Sequence, residues 1–208
     1  MLEAKLPGKM AHKIMLPPER DIELPSGFES VAKPSGVLLV LFPAENQLCT
    51  ALIKRPAHMK YHAGQIGLPG GKLEPTDSNP LEAAIRETFE EVGLHQNSLE
   101  VLGKLSPLYL SVTNYLIYPY IGWCSQLPQF NINLEEADKL LVIPLESLNR
   151  DNIRYQTLET QSGPLIVPGF EASGEFVWGA TAMILAEFMW LAEKDNLFGK
   201  KVGIVSEM

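Results

Sequence analysis

The segment Gly70-Gly71-Lys72, followed by Arg86-Glu87-Thr88-Phe89-Glu90-Glu91-Val92-Gly93-Leu94, decides how this chain folds. On a helix turning about 100° per residue, Glu90 lies about 60° to one side of Glu87 and Glu91 about 40° to the other. Leu81, Ile85, Phe89 and Val92 fall on the opposite side. The pattern predicts a helix with one face for a core and the other for something strongly cationic. Both ends carry signals. Asn79 is a good N-cap, Pro80 suits the first helical position and Glu82 completes a capping box. Gly93 supplies a left-handed C-terminal stop.

Without a ligand the acidic face is electrostatically unfavourable. Glu87 and Glu91 are like charges at i,i+4, which costs roughly 0.2–0.5 kcal/mol. Glu90 adds a third charge, and all three lie toward the end of the helix where the dipole disfavours anions. A divalent cation reverses each penalty, and hard carboxylate oxygens in this number suit Mg²⁺ or Mn²⁺. Arg86, four residues before Glu90, can hold that carboxylate in place. Gly71 lets the backbone turn so that its carbonyl can add a ligand. An ion placed there would activate water and neutralise charge on a diphosphate under attack. The ordinary alternative is a solvated row of surface glutamates.

Composition narrows the classes. The 208 residues suit one domain with some elaboration, and 46% apolar content with mean hydropathy +0.02 fits a globular fold. A net charge of −8 argues against a nucleic-acid surface but leaves room for a small phosphorylated ligand. No apolar run reaches the ~18 residues of a membrane span, and residues 1–15 make a poor signal peptide, so a cytoplasmic location is expected. Cys49 and Cys124 match no disulfide framework or zinc spacing and are expected to be buried thiols. No histidine pair has metal spacing. A homodimer is compatible with the sequence, which does not set the oligomeric state.

The organisation predicted is a proline-rich N-terminal arm over 1–33, a domain over 34–200 and a tail over 201–208. Gly36 to Phe42 and Leu48 to Lys54 form a hairpin-like pair, and Gln65 to Leu68 a short strand. Strands are expected at 100–110 and 115–123, a short helix at Leu134 to Asp138, then a strand from Leu140 to Pro144. A strand pair at 153–159 and 164–170 precedes a well-packed helix from Thr181 to Lys194. The order fits an α/β (α+β) arrangement, a mixed sheet held between helices.

The glycine–acid segment resembles the Nudix box: Gly, five residues, Glu, seven residues, then Arg-Glu-apolar-x-Glu-Glu-x-Gly-apolar. The second half matches except for Thr88 at an apolar position. In the first half Asp77 stands five residues after Gly71, and Arg86 comes one residue late. The resemblance implies a Nudix-type α/β/α sandwich, with Glu87, Glu90, Glu91 and the Gly71 carbonyl as metal ligands.

Residues 52–71 resemble the extended motif of the coenzyme A pyrophosphatase branch of that family. Arg55, Gly64, Pro69, Gly70 and Gly71 match, while Lys60 replaces an arginine and Leu68 a phenylalanine. The late Arg86 is itself a habit of this branch. Ser106-Pro107-Leu108, Tyr118-Pro119, Ile143-Pro144-Leu145 and Trp178-Gly179-Ala180-Thr181-Ala182 also resemble it. The implied substrate is coenzyme A or a thioester, cut to 4′-phosphopantetheine and adenosine 3′,5′-bisphosphate. Arg55, Lys60, His62 and Gln65 are the candidate substrate-binding residues, since cations or donors there would sit beside a diphosphate. Glu91, Glu90, Arg86 and Glu136 are the candidate catalytic residues, the base for the attacking water being a box glutamate or Glu136 downstream. The rival readings are a Nudix hydrolase for ADP-ribose or a dinucleotide, and a non-catalytic Nudix-fold binding module.

Overall fold

The computed structural model describes residues 6–18, 20, 27–28, 31–59, 62–160, 163–195 and 197. Lys60 and the 201–208 tail lie outside the described residues, as does part of the N-terminal arm. The polypeptide clusters into two compact units. The first runs to Pro144; the second takes Leu145 onward with the N-terminal segment that carries the first helix. The span 34–200 therefore draws on both.

In the first unit, β1 (Lys33–Ala44) and β2 (Gln47–Lys54) form a hairpin. Its two-residue turn is Glu45-Asn46, with φ of 48° and 61°, the left-handed pair whose twist matches the flanking strands. The short strands β3 (Ile66–Gly67) and β4 (Gly70–Lys72) pair antiparallel with β2 and β1 respectively. Next comes α2 (Pro80–Val92), counting Lys9–His12 as α1. Beyond it lie β5 (Glu100–Lys104), β6 (Leu108–Leu110), β7 (Tyr115–Trp123) and β8 (Lys139–Pro144). The sheet runs β3-β2-β1-β7-β5, with β4 on β1, β6 on β7 and β8 on β2. The β1–β7 pair is parallel and the others antiparallel, so the sheet is mixed. Where one strand over 100–110 is expected, Pro107 breaks the ladder and leaves β5 and β6 separate.

Leu38, Val40 and Phe42 alternate along β1 to line a core with Ala51 and Ile53 of β2 and Ala84 and Val92 of α2. Cys49 and Cys124 are free, buried thiols in that core. The inner face of α2 departs from its predicted make-up. Leu81 and Ile85 are only partly buried and Phe89 is 45% exposed, while Ala84, Thr88, Glu91 and Val92 are buried. The cause is a close helix–sheet approach: a Cβ on Gly36 of β1 would run into the Pro80 carbonyl oxygen. Only small side chains fit such a gap, and the Thr88 hydroxyl is satisfied by donating to the Ala84 carbonyl at 2.6 Å.

Over Leu134 to Asp138 the chain makes a turn instead of the predicted short helix. The Asn133 carbonyl accepts from Glu136 and Ala137, and the Asp138 N–H then donates to Lys54, which draws the chain into β8.

In the second unit, β9 (Ile153–Thr160), β10 (Gly163–Ala172) and β11 (Glu175–Trp178) form an antiparallel sheet. The unpredicted β11 follows a Ser173-Gly174 turn with φ of 51° and 74°. The last helix, α3 (Gly179–Lys194), packs against β10, β11 and α1. Its fully buried Glu187 accepts from the Gly8 N–H at 3.1 Å and pairs with His12 Nε2 at 2.9 Å. Among the described residues no helix is long and apolar enough to cross a membrane.

Candidate active site

The caps of α2 aim its carboxylates. Asn79 Oδ1 accepts from the N–H groups of Leu81 and Glu82, and Gly93 closes the other end at φ 70°. Glu82 reaches the Ser78 N–H, one residue beyond the N-cap, so the reciprocal bond of a capping box is not made.

Arg86 organises the acidic face. Its Nη1 donates to Glu90 Oε2 at 2.8 Å and lies 3.1 Å from Glu87 Oε1. Its Nε and Nη2 donate to the two oxygens of Asp77, each at 3.0 Å, and Nη2 also reaches the Lys72 carbonyl at 3.2 Å. This fork holds the Asp77 carboxyl below the usual carboxylate range and pushes the guanidinium higher still. Asp77 is thus the partner of Arg86 despite the extra residue between them; the loop over 73–79 absorbs the offset.

One carboxylate oxygen from each of Glu87, Glu90 and Glu136 comes within 4.8 Å of the others. Glu136 arrives because the Asn133 N–H donates to the Glu91 carbonyl at 3.0 Å and Asn133 Nδ2 donates to Glu136 Oε1 at 3.3 Å. Gly71 touches the same group, since a Cβ there would strike the Glu87 carboxylate. Burial raises the Glu87 pKa; Arg86 opposes the rise, and the neighbouring Glu90 and Glu136 add to it.

Glu91 lies behind this trio and is 3% exposed. Its Oε2 accepts from the Gly70 N–H at 2.9 Å, and its Oε1 faces Arg55 Nη1 at 3.8 Å. Burial pushes its pKa to about 8, against the pull of Gly70 and Arg55 and with help from Glu87 and Glu136. Arg55 also donates from Nη2 to Met59 Sδ at 3.0 Å, while its buried Nε has no hydrogen-bond partner. Gln65 and Gly64 bond the backbone of Arg55 and close the 55–65 loop at its base. His62, at φ 57°, bonds Gln65 through Nδ1 and Oε1 at 2.9 Å. The structure thus brings Arg55 to the carboxylates and ties His62 and Gln65 to each other.

A domain model described as the NUDIX domain matches residues 32–159. A protein named Nudix hydrolase NudL, uncharacterized, from Yersinia enterocolitica is 35% identical over 150 residues, covering 70% of this chain and 73% of the relative. Its namesake from Yersinia pestis is 31% identical over 83% of this chain and 87% of the relative. The chain belongs to the Nudix hydrolase family. Among solved structures, the Nudix hydrolase RenU from M. smegmatis aligns with a TM-score of 0.53 at 15% identity, over 80% of this chain and 87% of that one. That likeness is one of fold.

Hydrolases of this family generally use divalent metal ions. The donor set here fits one. Three oxygens converge, Arg86 is already matched by Asp77, and Arg55 is the cation that faces Glu91 among the described residues. A dication offsets both the repulsion and the burial cost that lift the Glu87 and Glu91 pKa values.

Proposed function

We propose that this chain hydrolyses the diphosphate bond of coenzyme A or one of its thioesters, with Mg²⁺ or Mn²⁺ as cofactor. The products are 4′-phosphopantetheine, or its acyl form, and adenosine 3′,5′-bisphosphate. The observation that carries this reading is Arg55 beside Glu91: it joins the segment resembling the coenzyme A motif to the carboxylates of the box.

Glu87, Glu90 and Glu136 would hold the ion, with the Gly71 carbonyl and Glu91 completing its surroundings. When bound, the ion supplies positive charge against the diphosphate and lowers the pKa of water. Arg55, whose guanidinium stands beside Glu91, orients the diphosphate at the edge of the site. Arg86 keeps the Glu87 and Glu90 carboxylates in position. A water oxygen attacks one phosphorus, the bridging P–O bond breaks, and the other phosphate leaves with that oxygen. The water's proton passes to a carboxylate oxygen of Glu91 or Glu136. Lys60, His62 and Gln65 belong to the substrate-binding loop in this reading.

The test is incubation with coenzyme A, ADP-ribose or NADH in the presence of Mg²⁺, with products identified by mass. The expected result is fastest turnover of coenzyme A with release of 4′-phosphopantetheine. Faster turnover of ADP-ribose would replace the substrate, and no hydrolysis across the panel would leave a binding module.

A further inference from the structure

A pocket of about 600 Å³ opens beside α2, within the size range of small-molecule sites. We propose that it is the nucleobase subsite of this hydrolase, an inference that rests on the nucleotide-hydrolase reading above.

Phe89 projects into this pocket instead of the core. Its ring centroid lies 4.6 Å from that of His95, with the planes at 47°. An aromatic ring 45% exposed on a helix that seats on Ala84, Thr88 and Val92 is not part of the core, and it presents a surface on which a flat heterocycle can stack. Gln129, Asn131 and Asn133 also line the pocket; the Asn133 amide is engaged by Glu136 and the Glu135 N–H, which leaves the amides of Gln129 and Asn131 to meet a base. Amides both donate and accept, which matches the edge of a base.

The amides stand on an anchored segment. Phe130 packs edge-on against Phe42 at 5.5 Å, and the N–H groups of Asn131 and Asn133 donate to the carbonyls of Val92 and Glu91 at 2.8 and 3.0 Å. Gly93 admits Asn131 close to the helix end, since a Cβ there would meet it.

Charge selects which part of a nucleotide enters. Among the described residues no lysine or arginine lines the pocket, and Glu90 stands on its wall, so a phosphate is repelled and an uncharged group is favoured. The geometry also connects the pocket to the chemistry. Glu90 belongs both to this wall and to the three-carboxylate group, and Asn133 lines the pocket while bonding Glu136. A base stacked on Phe89 therefore leaves its diphosphate next to the acids.

Calorimetric titration of the full chain, wild type and variant, with adenosine 3′,5′-bisphosphate, AMP and 4′-phosphopantetheine tests this. Phe89→Ala and Asn131→Ala should each weaken both adenosine ligands by about tenfold, Phe89→Trp should restore stacking, and 4′-phosphopantetheine should bind as before. In turnover, KM should rise by a similar factor with kcat within about twofold, on whichever nucleotide the protein cleaves. If coenzyme A is not cleaved but adenosine ligands still depend on Phe89, the substrate is wrong and the subsite stands. Adenosine ligands that bind both alanine variants as tightly as wild type, or fail to bind the wild type, overturn the subsite. So does a loss confined to 4′-phosphopantetheine, which would give the pocket to the pantetheine arm.

Discussion

Arg86 and Asp77 meet as a two-pronged pair, Nε on Oδ1 and Nη2 on Oδ2, both at 3.0 Å. The Asp77 side chain is 5% exposed and that of Arg86 22%, so the pair is part-buried and holds the guanidinium against the carboxylates of the helix. Asp77→Asn keeps the shape and removes the charge. At neutral pH it should cost roughly 1.5–3 kcal/mol in denaturant unfolding, the range for hydrogen bonds to charged groups. The sign follows from the depressed Asp77 pKa: the stabilisation is complete above the unfolded carboxylate pKa and is lost as pH falls through the folded value. The gap between variant and wild type should therefore close in acid. A gap independent of pH would mean that charge is not what holds Arg86.

Glu91 has the opposite sign. Burial raises its pKa to about 8, so between the unfolded carboxylate value and about 8 the folded chain binds more protons than the unfolded one. Without metal, stability from this group falls as pH rises through that window. Glu91→Gln removes the buried charge and still accepts from the Gly70 N–H. With chelator at mildly alkaline pH it should melt no lower than wild type, with a flatter stability–pH curve. Turnover with metal should fall by about a hundredfold or more, the scale of a lost acid–base or ligand group. Unchanged turnover would remove Glu91 from the site.

Metal should act on stability as well as on rate. An ion that binds only the folded chain at one hundred times its Kd stabilises it by about 2.7 kcal/mol. Thermal unfolding against Mn²⁺ or Mg²⁺ concentration should show that gain, and EDTA should abolish both the gain and turnover. Glu136→Gln should move the midpoint of the metal dependence upward by at least about tenfold. A midpoint that does not move would take Glu136 off the ion and leave it as a base.

The bounds of α2 were legible because their signals are local: Asn79, Pro80 and Gly93 act within one turn of the residues they cap. The inward face was not. Hydrophobicity alone puts Leu81, Ile85 and Phe89 inside, but the helix seats on Ala84 and Thr88 because β1 offers a glycine forty-eight residues upstream of Ala84. The Glu87–Glu90 arc could be drawn from helical angles. The approach of Glu136 could not, since it depends on an N–H of Asn133 meeting a helix carbonyl across the fold. Asp77 was obscured by counting: its partner is set by where the loop returns, and a flexible loop tolerates one more residue. The amides beside Phe89 carry no local pattern at all.

Gly36 and Gly71 are cross-strand partners whose missing side chains protect different things. A Cβ on Gly36 meets backbone, the Pro80 carbonyl, which cannot rotate away. A Cβ on Gly71 meets the end of a side chain, the Glu87 carboxylate, which can. Gly36→Ala should force α2 off the sheet and cost about 1–3 kcal/mol or more, the range for overpacking a tight interior. Gly71→Ala should cost less than Gly36→Ala, because Glu87 swings aside, and should instead lose metal affinity and turnover. Unfolding curves and metal titrations on the two variants separate the effects. If Gly71→Ala keeps full turnover and metal affinity, the displaced position of Glu87 still serves and the carboxylate is not fixed by this contact.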